Sequence, residues 1–310
     1  MRSSSIKNNN SFFPYLLLLI QPIFMASNLA IARGAASSVP PVSLGFWRWT
    51  LVFILLLPFF YQSILKNIKH LKSEFLKLFF LGFTGCCLCS IFPYVAGQTT
   101  TVLNMSLIYT SSSIFIVMLS TFFYKEKISL LQTIGFLFAF IGVLVVISNG
   151  TLSTILNLQF VEGDIWILGA AISWALYSVY VLHWKSKFNL FTKFTLIAFF
   201  GSLSLFPFYL YEVFYLGDKL NLELIPILWI IIAAISPGII AFILYSKIQK
   251  YLGASITGFT LYLFVVYGAF YGIFFFNEEL FMSHYLGGAL VLLGVYFAKK
   301  TFHYPQFRVV

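Results

Sequence analysis

Long apolar segments separated by short polar or charged turns make up most of the chain between residues 12 and 298. Each segment has about 20 apolar residues, the length with which an α-helix crosses the hydrocarbon core of a bilayer. The pattern predicts ten membrane helices: Phe12–Ala32, Pro41–Gln62, Phe75–Phe92, Gln98–Phe123, Ile128–Ile147, Gly163–Trp184, Leu190–Tyr211, Leu224–Ile248, Gly253–Phe276 and Leu280–Ala298. The predicted fold class is therefore an all-α integral membrane protein.

An internal repeat divides these helices into two sets of five. An acid at a helix turn is followed nine residues on by a glycine and seven further on by another, and this triplet occurs twice, 152 residues apart: Glu126, Gly135, Gly142 and Glu278, Gly287, Gly294. An odd number of crossings per repeat makes the second copy enter the membrane from the opposite side, as in secondary transporters. We expect repeats at 12–148 and 163–298, an external linker at 149–162, and tails at 1–11 and 299–310.

The basic residues predict the orientation. If the N-terminus is cytoplasmic, 16 of the 19 lysines and arginines fall on the cytoplasmic side, two fall outside and one, Arg48, lies within a helix. This distribution obeys the positive-inside rule, so both termini are expected in the cytoplasm. It also assigns the net charge of +10 to membrane orientation and not to nucleic acid. With 60% hydrophobic and 9% charged residues, a soluble protein is excluded.

Several motifs resemble one family of membrane proteins. Asn28 in the first helix, an Arg48–Trp49 pair in the second, the stretch Asn104–Ser111 and the Lys125–Lys127 turn are similar to the drug/metabolite transporter superfamily, in its branch with two EamA-type repeats. The chain departs from that pattern at Met25, where the family often has tryptophan. It also lacks the family's prolines midway along helices four and nine. The resemblance implies a central cavity lined by helices one to four and six to nine, with helices five and ten more peripheral.

Three polar side chains are predicted at one depth near the external side. Asn28, Arg48 and Asn104 lie five to eight residues from the external ends of their helices. At 1.5 Å per residue this places them about 7 to 12 Å below the boundary. Polar groups there are costly and need a partner or a role. They are candidates for substrate binding, with Arg48 suited to a carboxylate or phosphate. The alternatives are internal pairing of Arg48 and helix-to-helix bonds of the asparagines.

Inverted symmetry predicts a second layer near the cytoplasmic side. Trp174, Tyr177 and Ser178 share one helix face by their i, i+3, i+4 spacing. An aromatic and polar face suits a cavity for an organic molecule, although packing alone also explains it. Tyr94 and Tyr262 are additional candidates for the cavity wall.

Other functions lack the residues they need. All nine carboxylates lie at helix ends or in loops, so a proton or sodium relay at mid-membrane is disfavoured. The four histidines also lie at helix ends or in tails, which disfavours an intramembrane enzyme; no catalytic residue, cofactor or metal is expected. Cys86, Cys87 and Cys89 are assigned to packing. Glycine motifs such as Gly268-x-x-x-Gly272 serve the bundle interior or a homodimer equally well.

The predicted function is secondary transport by alternating access between the two repeats. The expected substrates are small organic metabolites, with amino acids or related compounds first. Transport would be efflux or exchange across the inner (plasma) membrane of a bacterial cell. The partners are then the substrate and the lipid bilayer. A channel-like facilitator is the principal alternative, and a non-transporting scaffold or receptor is a more distant one.

Overall fold

The protein is a bundle of ten helical spans in the computed structural model, which describes residues 13–125, 130–148, 150, 161–245, 247–248 and 260–300. Seven spans are long and apolar enough to cross a membrane, and three shorter apolar helices accompany them. In chain order the spans are α1 Phe13–Gly34, α2 Pro41–Lys66, α3 Ile68–Ala96, α4 Val102–Tyr124, α5 Leu130–Ile147, α6 Glu162–His183, α7 Leu190–Leu216, α8 Leu224–Tyr245, α9 Thr260–Phe276 and α10 Met282–Lys300. The prediction of an all-α membrane protein with ten helices is confirmed.

The packing of the helices follows the repeat. Helix α1 packs against α8 and α9 of the second half, and its counterpart α6 packs against α3 and α4 of the first half. The counterparts α2 and α7 pack against each other, as do α5 and α10. The pair α2–α7 is antiparallel, because Ser43 near the start of α2 meets Glu212 in the last turns of α7, while Ser63 near its end meets Thr192 in the first turn. The two halves therefore run in opposite directions.

The glycines of the sequence repeat lie where α5 meets α10. A side-chain Cβ at Gly142 would lie 2.7 Å from the carbonyl oxygen of Gly287, and one at Gly287 would lie 2.8 Å from the carbonyl oxygen of Gly142. A Cβ at Gly294 would likewise collide with the backbone of Gly135. The glycines thus let two backbones touch, as small residues do between membrane helices. The Gly268 motif also faces the interior, since Gly268 packs on Ser106 of α4.

Helices α3 and α8, counterparts in the two repeats, are both interrupted by π-helical turns. In α3 the turn is Phe83–Leu88, and in α8 it is Ala234–Ile240. Shifting 83–88 by the repeat offset of 152 gives 235–240, so the two irregularities occupy equivalent positions. Pro237 lies in the second one, within the sequence Ser236-Pro237-Gly238. A third π-helical turn, Glu212–Leu216, ends α7.

Some predicted boundaries were wrong. The lysine-rich segment predicted as a turn before Phe75 is helical, because α3 begins at Ile68. Long lysine side chains can extend to the aqueous face while their stems stay on the helix, so a basic segment need not be a loop. Helix α3 also continues past Pro93 to Ala96. Finally, α4 is broken at Ser111 into two helices, Val102–Thr110 and Ser112–Tyr124.

Candidate functional site

A small cavity lies in the middle of the bundle, between the two halves. Its volume is about 30 Å³, enough for a water molecule or two. The first half contributes residues from α1 to α4 and the second half contributes residues from α6, α8 and α9: Met25, Asn28, Leu29, Arg48, Trp49, Gly85, Cys89, Tyr109, Trp174, Pro237, Phe242 and Phe264. Small-molecule sites are commonly about 300 Å³ or larger, so this cavity is too small to hold a metabolite.

Arg48 is the charged side chain of the cavity wall, and it is 4% exposed. Its Nη1 donates to Asn28 Oδ1 at 2.7 Å and to the Tyr94 hydroxyl at 2.8 Å. The Tyr94 hydroxyl in turn donates to Asn28 Oδ1 at 3.1 Å. The guanidinium carbon lies 4.7 Å from the centre of the Trp49 ring, a cation–π contact. Three predicted site residues, Asn28, Arg48 and Tyr94, are thus in mutual contact.

One edge of the guanidinium has no hydrogen-bond partner among the described residues. Nε of Arg48 is buried and makes no hydrogen bond to any described residue. Nη2 makes none there either, and neutral groups are the only partners of Nη1. The Nε–Nη2 edge is a fork that binds a carboxylate or phosphate through two parallel hydrogen bonds. A Cβ at Gly238 would lie 3.9 Å from Nε, so this edge faces the π-helical turn of α8.

Aromatic rings form much of the remaining wall. The centre of the Trp174 ring lies 5.2 Å from that of Tyr177, and the Tyr109 ring lies 5.6 Å from that of Phe264. Tyr109 and Trp174 are neighbours, with ring centres 6.4 Å apart. Rings at such distances are packed against one another, so they form an apolar wall. The cavity therefore joins one cationic fork to an apolar enclosure.

Asn104 does not reach this cavity. Its side-chain amide donates to the carboxylate of Asp164 at 3.4 and 3.5 Å. Its Oδ1 lies 2.9 Å from His284 Nε2, and the Thr100 hydroxyl also binds Asp164. Asn104 therefore does not join Asn28 and Arg48 at the cavity, and instead links α4, α6 and α10 near their first turns, on the side predicted to be external.

The other candidates differ in where they point. Trp174 lines the cavity, whereas Tyr177 is buried behind it against Gly85 of α3. Ser178 is half-buried and is not part of the wall. The side chain of Tyr262 lies outside the described part of the structure. Tyr109, Phe242, Phe264 and Cys89 complete the wall without having been predicted, because apolar residues there resemble any other core position in sequence.

Two carboxylates, the buried Glu212 and the half-buried Glu278, hold helix ends around this centre. Glu212 accepts hydrogen bonds from the backbone nitrogens of Val42 and Ser43 at 2.8 and 2.6 Å, at the start of α2. Glu278 does the same for Val102 and Leu103 at the start of α4, at 2.7 and 3.0 Å. Both occupy the positive ends of helix dipoles. They tie one half of the protein to the other at the face predicted to be external.

Comparison with known proteins agrees with this architecture. Residues 12–148 and 161–299 each match the model of the EamA-like transporter family. An uncharacterized transporter of Bacillus subtilis, YyaM, is 26% identical over 299 residues, covering 95% of this chain and 96% of that protein. An uncharacterized transporter of Archaeoglobus fulgidus is 23% identical over 290 residues, covering 93% of this chain and 98% of that protein.

A solved crystal structure also has the same fold. It superposes with a TM-score of 0.59 at 16% sequence identity, covering 91% of this chain and 95% of that chain. At this level of identity the likeness establishes the fold alone.

Proposed function

Because this chain belongs to the EamA-like transporter family and is a membrane transporter, we propose that it carries small organic molecules that bear a carboxylate. Amino acids or related compounds are the first candidates, moved outward or in exchange. The observation that carries the proposal is the Nε–Nη2 edge of Arg48, which has no hydrogen-bond partner among the described residues and lies at a small cavity between the halves. A buried guanidinium with neutral partners has an uncompensated charge, which an anionic substrate would neutralise.

Alternating access is supported by the construction of the cavity wall. Both halves line the cavity, so a relative movement of the halves would open it on one side while the other side stays closed. Because the cavity volume is only about 30 Å³, a metabolite enters only after helices separate. A continuous pore through the same region would instead give a channel-like facilitator. The distribution of lysines supports both termini in the cytoplasm, with the plasma membrane as the site of action.

Counterflow in liposomes tests the proposal. Purified protein is reconstituted with one unlabelled compound inside, and uptake of the same labelled compound is followed for a series of amino acids and other carboxylates. We expect transient accumulation of the substrate, which requires a carrier. Saturable counterflow of uncharged or cationic compounds alone would contradict the assignment of the carboxylate. Non-saturating leak of many compounds would establish a channel.

Arg48→Gln tests the residue that carries the assignment. Loss of a charge-assisted, two-pronged interaction worth about 3 kcal/mol lowers kcat/KM by about 100-fold. Arg33→Gln is the matched control, because Arg33 lies at the external end of α1 and binds the carbonyl of Gly97 at 3.1 Å, away from the cavity. Arg33→Gln should keep counterflow near the wild-type rate. Equal kinetics for wild type and Arg48→Gln would make Arg48 a structural residue.

A further inference from the structure

The first turns of α3 extend beyond the hydrocarbon core of a bilayer. The span Ile68–Ala96 has 29 residues and is about 43 Å long at 1.5 Å per residue, whereas the hydrocarbon core is about 30 Å thick. A tilt of about 20° shortens the projected length by only about 3 Å. The far end of α3 lies level with the external end of α1, because Arg33 donates to the carbonyls of Gly97 and Gln98. The excess of about 10 Å is therefore at the lysine-rich start of α3, in the headgroup region.

The outer face of these turns is largely apolar. Ile68, Phe75 and Leu76 are 54%, 44% and 77% exposed, and together with Leu71 they line an open depression of about 440 Å³. Residues spaced i, i+3, i+7 and i+8 in this way share one side of a helix. Another side of α3 packs against α7. The depression therefore opens away from the bundle, toward lipid.

Two lysines belong to the same outer face. Lys72 lines the depression, one helical turn from both Ile68 and Leu76. Lys69 is exposed and lies three residues before Lys72, and residues at this spacing are neighbours on a helix surface. Lys66, at the end of α2, is also exposed. The outer face thus combines neighbouring ammonium groups with apolar side chains at the depth of the lipid headgroups.

The positive charge of this face has no compensating carboxylate beside it. Glu74 is the only carboxylate among residues 1–125. It is buried on the other side of the helix, where it accepts hydrogen bonds from the Ser186 hydroxyl and from the Lys187 backbone nitrogen at 2.7 Å. None of the carboxylates in the described part of the chain pairs with Lys69 or Lys72. An anion from outside the protein is therefore the complementary partner of these lysines.

We propose that the outer face of residues 68–76 binds an anionic phospholipid of the leaflet predicted to be cytoplasmic. The headgroup phosphate lies between the ammonium groups of Lys69 and Lys72, and the acyl chains cover Ile68, Phe75 and Leu76. Clusters of basic residues beside a membrane helix attract anionic lipids. A zwitterionic lipid fits less well, because its own cation opposes the lysines. The site is separate from the central cavity, so the proposal does not depend on the transported substrate.

Native mass spectrometry of the purified, delipidated full-length protein tests the proposal by counting bound lipids. Phosphatidylglycerol and phosphatidylcholine with identical acyl chains are titrated separately, and a Kd is obtained for the first lipid bound. We expect phosphatidylglycerol to bind saturably and about tenfold more tightly than phosphatidylcholine. Glycerol 3-phosphate, which has the phosphate without the acyl chains, should not displace the bound phosphatidylglycerol.

Two double variants separate this site from the general positive charge of the same side. Lys69→Gln with Lys72→Gln should weaken phosphatidylglycerol binding about 30-fold, because each lysine near an anionic lipid contributes about fivefold. Lys185→Gln with Lys187→Gln is the matched control, since it removes the same charge from two exposed lysines between α6 and α7. The control should bind phosphatidylglycerol with a Kd near that of wild type. All four side chains are exposed, so neither double variant should disturb the packed core.

Three results would overturn the proposal. Equal affinity for phosphatidylglycerol and phosphatidylcholine, or an unchanged Kd in the Lys69 and Lys72 double variant, would show that the two lysines do not select an anionic lipid. An equal loss of affinity in both double variants would show that overall charge, and not this face of α3, holds the lipid. Displacement of phosphatidylglycerol by glycerol 3-phosphate would show that the lysines bind a free phosphate and that the apolar side chains contribute nothing.

Discussion

Two adjacent glycines of α10 allow the close contact between the repeats to be tested against a matched neighbour. A Cβ at Gly287 would lie 2.6 Å from Val146 Cγ2, 2.8 Å from the Gly142 carbonyl oxygen and 3.2 Å from the Val146 nitrogen. A Cβ at Gly288 would meet only the Leu107 side chain, at 3.2 and 3.9 Å. A side-chain tip can move away, but a backbone oxygen on a facing helix cannot. We therefore predict that Gly287→Ala destabilises the protein and Gly288→Ala does not.

The magnitude follows from the two opposing effects. Ordinary contact begins at 3.4 Å, so Gly287→Ala requires α5 and α10 to separate locally by about 0.6 Å from the oxygen at 2.8 Å. Overpacking of this kind costs about 1–3 kcal/mol, whereas alanine gains about 1 kcal/mol over glycine within a helix. Gly288→Ala keeps most of that gain. The two variants should thus differ by about 2 kcal/mol, or roughly 4–8 °C in melting temperature.

The native cysteines supply the assay. Cys86, Cys87 and Cys89 are 1%, 0% and 8% exposed, so a thiol-reactive dye in detergent becomes fluorescent as the bundle unfolds. Melting curves of wild type and the two variants are recorded under identical conditions. If Gly287→Ala melts at or above the temperature of Gly288→Ala, the close approach of α5 and α10 is not what this glycine provides.

Two further substitutions probe buried hydrogen bonds with the same melting assay. Glu212→Gln removes the charge at the start of α2 and should destabilise the protein by about 1–2 kcal/mol. The control Glu223→Gln, at an exposed carboxylate, should change the melting temperature little. Equal effects of the two substitutions would show that Glu212 does not stabilise the protein by capping α2. Ser90→Ala removes the acceptor of the Trp49 indole nitrogen, 2.7 Å away, and should cost about 1–3 kcal/mol. An unchanged melting temperature would show that the indole finds another acceptor.

The sequence predicted the number and the type of the helices because both depend on length and apolar content. Helix α7 begins at Leu190, as expected, since the preceding Asn189 caps it by accepting a hydrogen bond from the Thr192 nitrogen. The start of α3 was missed because lysines mark a membrane boundary without ending a helix. The break at Ser111 has no proline or glycine to announce it.

The sequence indicated which polar side chains lie near helix ends, but not the direction in which each one points. Counting residues from the helix ends placed Asn28, Arg48 and Asn104 in one layer. Asn28 and Arg48 do meet, but Asn104 faces α6 and α10. Rotation about a helix axis is decided by which neighbour packs on which face, and a polar residue in an apolar helix gives no sign of that. Asp164 lies at a helix end, as the sequence indicated. Its full burial there depends on the helices that pack around it, which the sequence does not reveal.

The matched π-helical turns of α3 and α8 indicate how the two repeats of the protein evolved. A π-helical turn is an added residue within a helix, and an added residue shifts every side chain that follows it. Such an irregularity at one offset in both halves is explained most simply if the ancestral five-helix unit already had it. The unit was then duplicated with the π-helical turn already in it. Gly85 of one turn and Pro237 of the other now stand at the same cavity wall, with unlike side chains on an inherited backbone. Divergence after duplication therefore changed the chemistry at these positions and left the interruption of the helix in place.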